Sequence, residues 1–121
     1  MKIHRSAEDY LEAILHLQRE RGTVRAIHIA EELNVSKPSV SIAMKKLREN
    51  GYIRVEEGGS IRLLPPGEEV AQRIYGRHRL LTELFVGLGV CRETAEADAC
   101  KVEHDLSEET VDAIRAYLDG K

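Results

Sequence analysis

Tryptophan is absent, phenylalanine occurs once, and aromatics make up only 4% of the 121 residues. Apolar residues still reach 42%, so the core must be aliphatic, and it reads as helical. Cysteine occurs twice, at Cys91 and Cys100, too rarely for a disulfide framework; this fits a reducing cytosol. No apolar run approaches the roughly 18 residues of a membrane span, which excludes a transmembrane helix. The opening Met1-Lys2-Ile3-His4-Arg5 leads into a charged segment, so no secretory signal is expected. Low-complexity tracts and internal repeats are also missing, and the length suits one compact domain or two small ones.

What is present is organised around residues 24–53. Ile27, Ile29, Ala30 and Leu33 form one short apolar helical pattern, with Glu31 and Glu32 facing away. Val40, Ala43, Met44 and Leu47 form a second at i, i+3, i+4 and i+7. Between them Asn34-Val35-Ser36 supplies a turn former, an apolar plug expected to be buried, and an N-cap hydroxyl. Pro38 stands in the first turn of the second helix, where its missing N–H costs nothing, and Gly51 is placed to end that helix. This is the pattern of a helix-turn-helix whose second helix enters the DNA major groove. Off its apolar stripe lie Ser36, Lys37, Ser39, Ser41, Lys45, Lys46 and Arg48, cations and hydroxyls suited to phosphates and base edges, with Pro38 counted among the DNA-contacting residues beside them. A solvated helical hairpin would carry similar cations, but the next segment favours DNA.

Tyr52-Ile53-Arg54-Val55 alternates as a strand does, Glu57-Gly58-Gly59-Ser60 signals a turn, and Ile61-Arg62-Leu63 is a second short strand. A two-stranded ribbon directly after a recognition helix makes a winged helix-turn-helix, with Arg54 and Arg62 placed for phosphates. A purely structural hairpin would keep the fold and lose those contacts. The formal charge is −3, unusual for a DNA binder, but it is unevenly spread. Residues 37–54 hold Lys37, Lys45, Lys46, Arg48 and Arg54 against Glu49, whereas acids dominate residues 92–121. A basic reading head on an acidic second half fits a regulator whose second half binds cations or a partner.

Residues 6–19 read as a first helix, capped by Ser6, with Tyr10, Leu11, Ile14, Leu15 and Leu17 on its apolar face. A stripe of Asp9, Glu12 and His16 on this helix is more often a solvated face than a ligand set. Pro65-Pro66-Gly67 opens a long helix to about Leu88, and helices near residues 94–104 and 107–118 follow. Leu80, Leu81, Leu84, Phe85 and Leu88 give the long helix a denser apolar stripe than one small domain needs, which argues for a dimer interface. Cys100, Glu103 and His104 fall at i, i+3 and i+4, so thiolate, carboxylate and imidazole share a helical face, a set that suits a divalent transition metal. Exposed Glu-His pairs are common without one, and His78, between Arg77 and Arg79, reads equally well as a solvent-facing histidine.

A resemblance runs through these segments. Ser6-Ala7-Glu8-Asp9-Tyr10-Leu11-Glu12, His28-Ile29-Ala30, Val35-Ser36-Lys37-Pro38-Ser39-Val40, Arg77-His78-Arg79-Leu80-Leu81 and Ala97-Asp98-Ala99-Cys100-Lys101-Val102-Glu103-His104 occur in the order seen in one family. Together the chain resembles the diphtheria-toxin-repressor family of metal-dependent transcriptional regulators, in the two-domain form of the manganese transport regulators. The resemblance implies metal ligands at Asp9, Glu12, His78, Cys100, Glu103 and His104, with the first helix donating Asp9 and Glu12. A second, ancillary site of iron-type members is altered here, with Thr82 and Glu96 at two of its positions; Glu96 is left as an additional ligand candidate. Asp9 is the manganese-type residue and Cys100 the iron-type one. Oxygen ligands favour Mn²⁺ and a thiolate favours Fe²⁺, Co²⁺ or Zn²⁺, so Mn²⁺ or Fe²⁺ is the expected cofactor, with Co²⁺ and Zn²⁺ able to substitute. A chain ending at Lys121 is expected to lack the third, SH3-like domain of iron-type members.

The fold expected is therefore mainly α with a small β-wing. A winged helix-turn-helix DNA-binding domain, residues 1–64, precedes a helical metal-binding and dimerisation domain, residues 65–121. The function implied is a cytoplasmic, homodimeric, metal-dependent repressor of metal-uptake or homeostasis genes, non-enzymatic and without membrane contact. It would bind a palindromic operator in double-stranded DNA, and metal and DNA would tighten each other's binding by linkage. The alternative is a thiol redox sensor on a winged helix, switched by Cys91 and Cys100. A metalloenzyme using Glu103 and His104 lacks a nucleophile motif and leaves the helix-turn-helix unexplained.

Overall fold

A computed structural model describes residues 5–120; the reading of the first four residues as lacking a signal lies outside them. The described elements run α1 (Arg5–Arg21), α2 (Ala26–Leu33), α3 (Lys37–Glu49), β1 (Ile53–Val55), β2 (Ile61–Leu63), α4 (Pro65–Gly87), α5 (Arg92–Val102) and α6 (Glu108–Asp119). They fall into two compact units, Met1–Gln72 and Arg73–Lys121, and the division lies within α4. This is the mainly helical architecture with a β-wing expected from the sequence.

In the first unit α1 buries Leu11, Ile14, Leu15 and Leu17, each contributing about 1.5–3 kcal/mol by leaving water. A cap residue keeps an extended backbone, but α1 already begins at Arg5, so Ser6 lies inside the first turn and is not the cap. Helix α2 ends at Asn34, whose φ of 54° is left-handed, and the Val35 N–H returns to the Ala30 carbonyl at 3.1 Å. Backbone geometry therefore makes the turn, and Val35 is exposed (37%) instead of the buried plug expected. Ser36 caps α3 as read, its Oγ accepting from the Ser39 N–H at 3.2 Å, with Pro38 in the first turn. Val40, Met44 and Leu47 are buried, and Gly51 follows the helix with φ +80°.

Strands β1 and β2 pair antiparallel, Ile53 with Leu63, Arg54 with Arg62 and Val55 with Ile61. Ile53 and Ile61 turn into the core, and the Ile61 N–H reaches the Val24 carbonyl at 2.8 Å, which ties the wing to the segment before α2. The connecting turn needs its glycines: Gly58 and Gly59 have φ of +92° and +91°. Gly67 is required for another reason, since a Cβ there would lie 2.1 Å from the Tyr52 carbonyl oxygen.

In the second unit Ile74, Leu81, Ala95, Ala99 and Val111 are buried, together with Arg77, Thr82 and Glu103. Helix α5 stops at Val102, two residues before the expected end, although Glu103 keeps helical angles (φ −60°, ψ −25°) and its N–H still reaches the Ala99 carbonyl at 3.0 Å. Ser107 caps α6, accepting from the Thr110 N–H at 3.2 Å.

Candidate metal centre and nucleic-acid interface

His78 comes from α4, Cys100 from the last turn of α5, and Glu103 from the residue that ends it. Nδ1 of His78 stands 2.9 Å from Oε2 of Glu103 and 3.7 Å from Sγ of Cys100. One donor atom from each of the three lies within 4.8 Å of the others. Nitrogen, sulfur and oxygen donors this close together are a donor set that a divalent transition metal fits. The Glu103 residue is only 1% exposed, and a carboxylate taken out of water needs a cation beside it. In this structure His78 supplies it: hydrogen bonds to Cys100 and then to Glu103 raise its pKa to about 10, against the opposing effect of burial. The second carboxylate oxygen of Glu103 lies 3.6 Å from Nε2 of His104.

Arg77, one residue before His78, fixes the segment that carries Glu103 and His104. Its Nη1 donates to the carbonyls of Glu103 (3.1 Å) and Leu106 (2.8 Å), and its Nη2 to Oε1 of Glu108 (2.6 Å). In the sequence Arg77 reads only as a cation beside a histidine. The available signal was its place in line with the apolar residues Ile74 and Leu81, at i+3 and i+7.

The structure thus brings together His78, Cys100 and Glu103 and sets His104 beside Glu103. Asp9 and Glu12 are half-buried on α1 of the first unit, and Glu96 is exposed on α5 one turn before Cys100. His16, the third member of the α1 stripe, is engaged elsewhere: it lies 2.5 Å from Glu32 and 3.7 Å from Glu20, all at the surface. The hydroxyl of Thr82 donates to the His78 carbonyl at 2.8 Å, so this position is satisfied by its own helix.

The outward side of α3 exposes Lys37, Pro38, Ser39, Ser41, Lys45, Lys46 and Arg48. Ser36 Oγ donates to Ser39 Oγ at 2.9 Å as well as capping the helix, which leaves the Ser39 hydroxyl its own hydrogen to give. Ile42, 60% exposed among these residues, was not singled out from the sequence because it sits off the buried stripe. On the wing, Arg54 and Arg62 are both exposed and both pair with Glu56. The Arg62 hydrogen bond, chiefly, holds the Glu56 carboxyl below its usual range.

Residues 2–60 match the family model described as the N-terminal DNA-binding domain of iron-dependent repressors. Residues 65–120 match the metal-binding and dimerisation domain of the same proteins. The chain belongs to the iron-dependent repressor family. This is the diphtheria-toxin-repressor group of metal-dependent transcriptional regulators, as the resemblance implied. The transcriptional regulator MntR of Escherichia coli is 38% identical over 110 residues, covering 91% of this chain and 71% of that protein. A manganese-dependent transcriptional repressor solved in complex with manganese superposes with a TM-score of 0.85 at 30% identity, over 93% of this chain. IdeR of T. acidophilum gives 0.83 at 27% identity over 98% of it. The chain spans 52% and 55% of those two solved chains.

For the redox alternative, an intrachain disulfide between Cys91 and Cys100 is out of geometric reach. Neither is in a disulfide, and they stand nine residues apart along one helix and its cap. At a rise of roughly 1.5 Å per residue their Cα atoms are about 13 Å apart, beyond the roughly 7 Å a disulfide can bridge. Cys91 instead hydrogen-bonds Thr94 Oγ1 at 3.3 Å, which lowers its pKa. Among the described residues no helix is long and apolar enough to cross a membrane.

Proposed function

We propose that the chain is a cytoplasmic, homodimeric repressor of metal-uptake or homeostasis genes, non-enzymatic, which binds a palindromic operator when Mn²⁺ or Fe²⁺ is bound. The observation that carries this is the convergence of His78, Cys100 and Glu103 in a segment matching a metal-binding and dimerisation domain. In this reading residues 1–64 read DNA and residues 65–121 hold metal and partner. His78, Cys100, Glu103 and His104 are the ligands, joined by Asp9 and Glu12 on the strength of family membership, with Glu96 a candidate for an altered second site. Ser36, Lys37, Pro38, Ser39, Ser41, Lys45, Lys46, Arg48, Arg54 and Arg62 form the DNA-contacting set.

A bound dication supplies the positive charge that the buried carboxylate otherwise draws from a protonated His78. The residues do the rest. Arg77 holds the Glu103 and Leu106 carbonyls, so Glu103 and His104 are presented from a braced backbone and not from a loose helix end. Leu84 and Phe85 are half-exposed and Leu88 is 69% exposed, an apolar surface suited to a second copy. Two recognition helices held by such a dimer would meet half-sites about 34–36 Å apart. Metal raises operator affinity only by its differential affinity for that arrangement, and DNA tightens metal binding by the same factor.

Titration with Co²⁺ tests the site. Thiolate ligation by Cys100 gives a near-ultraviolet charge-transfer band that oxygen and nitrogen ligands do not. The band is expected in wild type and Cys91→Ala and lost in Cys100→Ala. Its absence at saturation, or its survival in Cys100→Ala, would remove Cys100 from the ligand set.

A further inference from the structure

Arg54 and Arg62 are direct cross-strand partners on the wing, where like charges repel. A single carboxylate holds them together. Oε2 of Glu56 takes Arg54 Nη2 at 3.3 Å, and Oε1 takes Arg62 Nε at 2.6 Å. The arrangement is open to solvent, with side-chain exposures of 60% for Arg54, 63% for Arg62 and 35% for Glu56. The backbone beneath it is fixed. The Glu56 N–H donates to the Ser60 carbonyl at 2.8 Å, and its carbonyl accepts from the Gly59 N–H at 2.9 Å. Arg25, capping α2, donates to the Gly58 carbonyl and so holds the turn to the helix-turn-helix.

We propose that Glu56 is a built-in competitor for the wing's phosphate contacts, lowering affinity for DNA of any sequence and leaving discrimination to α3. This rests on the reading of the chain as a binder of duplex DNA. A carboxylate offers a guanidinium two oxygens much as a phosphate does. For Arg54 and Arg62 to meet the DNA backbone, Glu56 must release them. The released carboxylate then lies beside phosphate and takes up a cation, which offsets part of the counterion release that drives binding. Exposed ion pairs are individually weak, so the exchange is accessible, and two of them together amount to about a threefold to tenfold loss of affinity. A regulator that must leave random DNA to find an operator gains from such a loss, because phosphate contacts carry no sequence information.

The test measures binding of the full chain, saturated with Mn²⁺, to a random-sequence duplex across a range of salt. Wild type is compared with Glu56→Gln and with Glu57→Gln, which removes the same formal charge one residue along the turn. Glu56→Gln should bind about threefold to tenfold more tightly, and its log–log salt slope should steepen by about one. Glu57→Gln should change affinity less than about twofold, as expected for a screened surface charge. Adding Arg62→Ala to Glu56→Gln should erase most of the gain. Unchanged or weaker binding in Glu56→Gln overturns the proposal and makes Glu56 an orienting group for the arginines. Equal gains in both glutamine variants overturn it in favour of bulk charge. Wild-type protein that fails to bind duplex DNA in any metal state overturns the DNA-binding reading as well, which keeps the two failures apart.

Discussion

Replacing Arg77 by methionine should separate the brace from the ligands it supports. Arg77 is 7% exposed, and its guanidinium gives hydrogen bonds to two carbonyls and one carboxylate. Without it the carbonyl of Glu103, in a residue 1% exposed, loses this donor in a place that water reaches poorly. That desolvation costs about 1–3 kcal/mol, and the part-buried Leu106 carbonyl adds roughly 1 kcal/mol. The Glu108 carboxylate, 67% exposed, returns to water at little cost. Removing a buried cation also relieves its own desolvation, and Arg77 Nε has no hydrogen-bond partner among the described residues, so some is recovered. A net loss of about 2–3 kcal/mol follows for Arg77→Met. For Glu108→Gln, which keeps both carbonyl bonds, the loss is about 1 kcal/mol or less. Urea unfolding of the metal-free protein at constant m-value measures both. Mn²⁺ affinity should fall about tenfold in Arg77→Met, as for other groups that orient a ligand. If Arg77→Met costs no more than Glu108→Gln, or loses stability with unchanged Mn²⁺ affinity, Arg77 does not position the site.

Gly67→Ala should lower stability by more than about 1 kcal/mol, because its Cβ would meet the Tyr52 carbonyl at 2.1 Å and backbone must move; thermal melts would show it. Leu84→Glu and Leu88→Glu should each convert the dimer to monomers in sedimentation, and a monomeric wild type at micromolar concentration would contradict the interface. Lys45→Ala and Lys46→Ala should weaken operator and random duplex alike, whereas Ser39 or Ser41 substitutions should change discrimination between operators in competition assays. The His78 value of about 10 lies above its ordinary 6.5. Its contribution to the metal-free fold is therefore complete below pH 6.5 and lost as pH rises through about 10. The urea midpoint should fall across that window, and Mn²⁺ affinity should move the other way, weakening as pH falls, because the metal takes the neutral imidazole.

Elements set by local chemistry were legible without coordinates. The apolar spacing of α3, its Ser36 cap, Pro38 and Gly51 act within a few residues, and each stands where the sequence put it. Val35 misled because an apolar residue in a turn reads as a plug, whereas the left-handed Asn34 and one backbone hydrogen bond already make that turn. The site was legible in part. Cys100 and Glu103 share a helical face by spacing alone, but His78 is 22 residues from Cys100 and entered only through the family resemblance. Arg77 and Glu56 stayed hidden for the same reason. A charged side chain reads as solvated until tertiary structure supplies its partners, here the carbonyls after α5 and a pair of arginines across a turn.

In the function proposed, metal held by the second unit controls the grip of the first on DNA. Duplex selected from a random library by the Mn²⁺-loaded protein supplies the probe, and fluorescence anisotropy gives its affinity with Mn²⁺ and with chelator, for wild type and His78→Ala. Wild type should bind at least about fivefold more tightly with Mn²⁺, within the range of ordinary allosteric coupling, and His78→Ala should lose that dependence while keeping its affinity for random DNA. Wild-type affinity that chelation leaves unchanged, or a metal response that survives in His78→Ala, would contradict the account.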